Sequence, residues 1–246
     1  MTAVLVIGGC DSSGGAGLVA DIRTLSRLGV GALCAVTAVT AQTHQALLAA
    51  SVLPPELVRS QIESAFASAA IGAVKIGMLA TAATVHAVAA ALGRHREVPV
   101  VLDPVLATSS GGELLDAPGR AALVSVLLPL ATLLTPNLPE AATLLGLPEA
   151  RDEQQMQHHA QALLALGPRA VLVKGGHASL AHAVDILDLQ DGRSQRFAAP
   201  RAAASRRGTG CALASAIAAH LAGGAALPAA CAAAKRCVTE LFERSD

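Results

Sequence analysis

The chain has 246 residues, with 18 Lys+Arg balanced by 18 Asp+Glu, and its aromatic side chains are limited to three Phe. A neutral, aromatic-poor chain has neither the basic footprint that binds nucleic acid or an acidic membrane surface nor the platforms on which bases stack. Cys10, Cys34, Cys211, Cys231 and Cys237 make an odd count without a C-x-x-C pair, which excludes a disulfide framework or a zinc site as the expectation. At 53% hydrophobic residues, the chain is long enough for one α/β domain over 1–246 with a core of Ala, Val, Leu and Ile.

Residues 4–7 form an apolar run closed by Gly8 and Gly9, the pattern of a strand buried on both faces. A glycine loop fills 8–17, and helical spacing over 18–28 stops at Gly29. An apolar run over 32–39 ends in Thr40-Ala41-Gln42, and 47–53 reads as a strand. Pro54-Pro55-Glu56 opens a helix that reaches residue 69. The run 73–76 is a strand followed by Gly77-Met78, 81–92 a helix, and 98–102 a strand whose end carries Asp103 and Pro104. Further on, 118–129 reads as helix, 132–135 as strand, 138–145 and 153–166 as helices, and 170–174 as strand. Asp191-Gly192 joins 184–189 to 195–198 as a hairpin, and Ala-rich helices over 210–222 and 228–242 follow. Strands alternating with helices predict a doubly wound, mostly parallel sheet with helices on both faces. The apolar runs are broken by Gly, Pro or charge before they span a bilayer, and no basic segment precedes the first strand, so a reduced, cytoplasmic setting without membrane contact is expected.

In such a fold, ligands bind just past the carboxyl ends of the strands. Asp11, Gln42, Met78, Asp103, Asn137 and Lys174 all fall there. Gly208-Thr209-Gly210-Cys211 leads into a helix, so free amides and the positive dipole end point at one spot, an anion site with a thiol in its first turn. The dipole is expected to favour the thiolate and equip Cys211 as a base; the plainer reading is a glycine turn that starts a helix, with Cys211 a small buried hydrophobe. Asn137-Leu138-Pro139-Glu140 is a capping-box pattern that serves any helix; the functional reading is a carboxylate that holds Mg²⁺ through water. Lys174 before two glycines is a solvated lysine or a phosphate contact, His177 is a loop histidine, and Arg206 and Arg207 are a solvated pair or guides for phosphate. Asp21, near the start of the first helix, reads by itself as a dipole carboxylate. Gly15-Ala16-Gly17-Leu18-Val19-Ala20 matches the dinucleotide fingerprint in form, but its glycines come late after the strand and no acidic residue follows at the ribose spacing.

Seven segments in order carry a resemblance: 9–17 with Ala20-Asp21; 37–42; 74–79; 101–105; 134–141; 173–177; and 208–211. Together they resemble the hydroxymethylpyrimidine/phosphomethylpyrimidine kinases of the ribokinase-like superfamily, almost end to end. The resemblance implies a three-layer αβα sandwich, ATP and Mg²⁺ as cofactors, a homodimer, and phosphorylation of 4-amino-5-hydroxymethyl-2-methylpyrimidine to its monophosphate and then its diphosphate in thiamine biosynthesis. It places Asp21, Gln42, Met78, Gly9 and Val105 at the pyrimidine. Asp103 and Glu140 go to the metal and phosphates; Lys174, Asn137 and Thr209 to ATP. Gly208, Thr209 and Gly210 form the anion hole, and Cys211 is the base. The chain departs from the family pattern at Thr43-His44, which follow Gln42 where relatives have Asn-Thr, and at Arg206-Arg207, where relatives have Thr-His. It also stops at Asp246, short of a tail many relatives carry. A pyridoxal kinase of the same frame is the competing enzyme. A dinucleotide-binding or ligand-sensing module is the reading from another class.

Overall fold

In the computed structural model, which describes residues 2–43, 45–108, 112–175, 182–200 and 208–243, the run at 4–7 lies inside strand β1 (Ala3–Asp11). The elements that follow are α1 (Gly17–Arg27), β2 (Gly31–Gln42), β3 (Leu47–Val52), α2 (Pro55–Ser68), β4 (Ile71–Ile76), α3 (Ala82–Leu92) and β5 (Val100–Leu102). Next come α4 (Ala117–Ala122), β6 (Leu133–Leu134), α5 (Leu138–Leu145), α6 (Glu153–Leu164) and β7 (Ala170–Lys174). β8 (His182–Leu189), β9 (Ser194–Pro200), α7 (Thr209–Ala222) and α8 (Leu227–Glu243) complete the order.

Among the described residues there is one nine-stranded sheet in the order β3-β2-β1-β4-β5-β6-β7-β8-β9. Its centre, from β2 through β7, is parallel, while β3, β8 and β9 pair antiparallel at the two edges. The alternation of a strand sends successive side chains to opposite faces. In β1, Leu5 and Ile7 pack with α2 and α3, whereas Val4 and Val6 pack with α1 and α7, and all four are fully buried. The result is the expected three-layer αβα sandwich. Small residues let α7 lie close to the sheet: a Cβ on Gly72 would stand 3.0 Å from the Ala222 backbone.

Two boundaries differ from the sequence pattern. β2 does not stop at 39; it continues through Thr40 and Ala41 to Gln42, paired on one side with β1 and on the other with β3. The helix expected over 118–129 is broken: α4 passes into a π-type turn, Leu123–Leu127, and a 3₁₀ turn, Leu128–Leu130. Pro129 has no amide hydrogen to donate and its ring crowds the preceding turn, so a regular α-helix ends before it.

Candidate active site

The carboxyl ends of β1, β2, β4, β5, β6 and β7 converge on one edge of the sheet, and the strand-end residues are held there by one another. Asp11 Oδ1 accepts from the Ser13 N–H (2.9 Å) and hydroxyl (2.8 Å), which curls the first glycine loop. The Gln42 N–H donates to Ser12 Oγ at 2.9 Å, tying that loop to the end of β2. Buried Thr37 donates to the Met78 carbonyl at 2.6 Å, and a Cβ on Gly9 would stand only 2.8 Å from the Met78 sulfur. Gly9 and Met78 are therefore neighbours. Val105 follows half-buried, its N–H bonded to the Asp103 carbonyl at 2.9 Å.

The anion turn closes over this floor. Gly208 begins α7 with φ +80° and presses against Gly15, whose carbonyl oxygen a Cβ on Gly208 would strike. No side chain caps α7, and its first intrahelical bond is from the Ala212 N–H to the Gly208 carbonyl (2.8 Å). The amides of Thr209, Gly210 and Cys211 precede that bond, as the first turn of any helix requires. A Cβ on Gly210 would come 3.2 Å from Lys174 Nζ, so this turn stands directly over the lysine.

Lys174 donates to Asp103 Oδ1 at 2.7 Å, and Thr135 donates to the same oxygen at 3.2 Å. Burial would push the Lys174 ammonium down, but Asp103 and Glu140 more than reverse this and hold it above its ordinary value. Glu140 completes a capping box with Asn137: each backbone N–H donates to the other's side chain at 2.8 Å. Burial pushes the Glu140 carboxyl up to about 7; Lys174 pulls it down and Asp103 adds to the rise. The cap is thus real, and the same carboxyl also faces the lysine. Asp103 Oδ2 and Glu140 Oε1 take no part in these bonds, which leaves one oxygen of each for a hard cation that keeps most of its waters.

Two expectations are corrected. Asp21 does not open into the cleft, nor does it lie in the first turn of α1: it is wholly buried, with both oxygens engaged. Ser215 donates to Oδ1 at 2.8 Å, and Lys75 donates to Oδ2 at 2.9 Å. Burial pushes the Asp21 carboxyl up, against the pull of Lys75 and Ser215. Burial alone would push the Lys75 ammonium down; the Asp21 carboxylate outweighs it, so Lys75 stays charged. Nor does the helix dipole lower the Cys211 thiol. The side chain is half-buried, and its desolvation pushes it up to about 11, against the pull of Lys75, with Asp21 and Asp103 adding to the rise and the Gly17 amide opposing it. A protonated thiol is the resting form.

The residues that the sequence pattern missed are Lys75, Ser215, Thr37 and Thr135. Lys75 alone gave a signal, a cation inside the apolar strand run at 73–76. His44, Gly176, His177, Arg206 and Arg207 lie outside the described residues. A depression of ≈ 340 Å³ between α6 and the β8–β9 hairpin, lined by Gln161, Asp188 and Arg193 among others, shares no residue with the strand-end cleft. Among the described residues, no helix is long and apolar enough to cross a membrane.

The comparisons with known proteins agree with this geometry. The family model described as phosphomethylpyrimidine kinase matches residues 11–245. The hydroxymethylpyrimidine/phosphomethylpyrimidine kinase of Escherichia coli is 45% identical over 216 residues, covering 87% of this chain and 81% of that protein. The crystal structure of phosphomethylpyrimidine kinase from Clostridium difficile superposes with a TM-score of 0.86 at 34% identity, over 98% of this chain and 99% of that one. The pyridoxal kinase of Staphylococcus aureus, in complex with AMP-PCP and pyridoxal, superposes with a TM-score of 0.89 at 27% identity, over 99% and 88%. The ribokinase-like fold is thus shared with both kinds of kinase, but the sequence sides with one of them: the chain belongs to the phosphomethylpyrimidine kinase family.

Proposed function

We propose that this chain is an ATP-dependent kinase that phosphorylates hydroxymethylpyrimidine and then its monophosphate in thiamine biosynthesis. The observation that carries the reading is the stacking of an uncapped glycine turn, Gly208–Cys211, over the Lys174–Asp103 pair at the carboxyl edge of the sheet. Phosphoryl transfer asks a protein mainly for positioning and for charge to offset that of the moving group. Backbone amides and one lysine converging on a point supply both.

In this reading Gly208, Thr209, Gly210 and the Cys211 amide hold the transferring phosphoryl, and Lys174, with Asn137 and Thr209 beside it, holds the ATP phosphates. Gln42, Met78, Gly9 and Val105 line the pyrimidine pocket. Asp21 serves that pocket from beneath, because its oxygens are already taken. Asp103 and Glu140 would hold Mg²⁺, which when bound offsets phosphate charge; one free oxygen on each fits a cation bound largely through water. The domain is a single kinase unit over 1–246, working in the cytoplasm as a homodimer.

The two acceptors make different demands. The alcohol must lose its proton as its oxygen attacks phosphorus and ADP leaves, and the Cys211 sulfur accepts it in the fraction of molecules whose thiol is ionised. The monophosphate attacks with an oxygen that is already anionic, so it needs no base. Cys211→Ala is therefore expected to slow the alcohol step at least about tenfold more than the monophosphate step, within the range that general bases contribute. ATP consumption measured with each pyrimidine separately tests this, and equal losses would leave Cys211 as part of the anion hole alone. Running pyridoxal in the same assay tests the substrate, since the fold is shared with pyridoxal kinase and only sequence identity favours the pyrimidine.

A further inference from the structure

Two helices meet in register behind the anion turn. Gly17, at the start of α1, faces Cys211, at the start of α7. Residues four apart lie on one helix face, one turn of about 5.4 Å lower. At that next level, Asp21 of α1 meets Ser215 of α7 at 2.8 Å. The Lys75 ammonium, from the sheet, enters the same level and joins Asp21 at 2.9 Å. It runs up against the backbone at the end of β4: a Cβ on Gly77 would stand 3.0 Å from Nζ. The lysine therefore reaches no ligand, yet it sits one helical turn beneath the thiol.

We propose that Lys75 is a positioning residue for Cys211: its ammonium, clamped by Asp21 and Ser215 beneath the Gly-Thr-Gly-Cys turn, is the buried counter-charge that lets the sulfur act as proton acceptor in the alcohol step. Sealed among protein atoms, such a charge is not screened by solvent as a surface charge is. The neighbouring charges are Asp21 from α1, Asp103 just past β5 and Lys174 from β7, with the Cys34 thiol of β2 facing Asp21. Lys75 is the strongest of the charged influences on the thiol, ahead of the opposing push of Asp21. The pair thus acts on the sulfur as a cation partly offset, not as a neutral unit.

This inference rests on the kinase reading for its purpose, but its test does not need turnover. The rate at which iodoacetamide alkylates Cys211 at neutral pH, followed on its own peptide by mass spectrometry, reports the thiolate fraction. Asp21→Asn/Lys75→Met removes the pair without stranding a buried charge, and alkylation is expected to fall about tenfold below that of the native chain for each unit the thiol rises. A rate equal to or above that of the native chain would overturn the proposal. If the double variant does not fold, Lys75→Arg, which keeps the cation, is expected to alkylate at close to the native rate, and a loss of about tenfold there overturns it too. In turnover, the double variant is expected to lose the alcohol step at least about tenfold more than the monophosphate step. A native chain inactive on both pyrimidines would sink the kinase reading and leave the alkylation result standing.

Discussion

Two of the lysine–aspartate pairs near the carboxyl edge of the sheet, Lys75–Asp21 and Lys174–Asp103, have one construction and two fates. In each, an ammonium meets one carboxylate oxygen, at 2.9 Å for Lys75–Asp21 and 2.7 Å for Lys174–Asp103. Each carboxylate also accepts from a hydroxyl, Ser215 in the first and Thr135 in the second. They differ in reach. The side chains of Lys75 and Asp21 are each 1% exposed, whereas Lys174 keeps 13% of its surface open beneath the glycine turn. A sealed pair can only shape what lies above it, and it is costly to split. An open pair can exchange its carboxylate for a phosphate, at little cost to the fold. The site therefore divides its two cations between holding the scaffold and gripping the ligand.

Breaking the sealed pair has the largest expected effect. Lys75→Met leaves Asp21 buried without a counter-charge and is expected to cost about 3–5 kcal/mol of stability. Thermal or denaturant unfolding measures this, and Asp21→Asn/Lys75→Met is expected to recover most of the loss, since a neutral pair carries no stranded charge. Near-native stability of Lys75→Met would mean that the pair does not hold α1, α7 and the sheet together.

The open pair is expected to respond in the opposite sense. Lys174→Met leaves Asp103 beside the cleft and costs less stability than Lys75→Met. Its turnover is expected to fall about 10²–10³-fold, the scale seen when one fixed donor to a transition-state charge is removed. Steady-state assays beside melting curves separate the two lysines. If both substitutions act mainly on stability, the comparison fails.

The same contrast explains what was legible in the sequence. Glycine loops, strand-end polar residues and an alternating β/α order are local patterns, so the layers and the residues at the cleft were readable from them. Lys75 was not, because a strand shows which face a side chain takes but not what waits there. Its partner Asp21 lies 54 residues away and Ser215 lies 194 residues from Asp21, so only the folded chain joins them. Cys211 was misread for a related reason. A helix N-terminus favours a thiolate by an effect confined to the first turn, whereas desolvation, which no spacing reveals, acts on the thiol from every side. Pro129, by contrast, stood in plain view, and the broken helix at 123–130 follows from its missing amide hydrogen.

The smallest expected effect sharpens the open side further. Glu140 faces Lys174 and Asp103, and burial pushes its carboxyl from the ordinary 4.5 up to about 7. Between those values the folded chain retains a proton that the unfolded chain has released. Stability contributed by this group is therefore full below about 4.5, falls as pH rises, and levels off above about 7. The whole change is at most about 3 kcal/mol, reduced by solvent at this half-buried carboxyl. Glu140→Gln cannot ionise, and its side-chain oxygen can still accept from the Asn137 N–H, so the helix cap survives. Denaturant unfolding of both proteins across that window is expected to show a slope in the native chain that the variant lacks. Parallel curves would mean that Glu140 is ionised throughout, and that Lys174 faces two carboxylates even before any phosphate arrives.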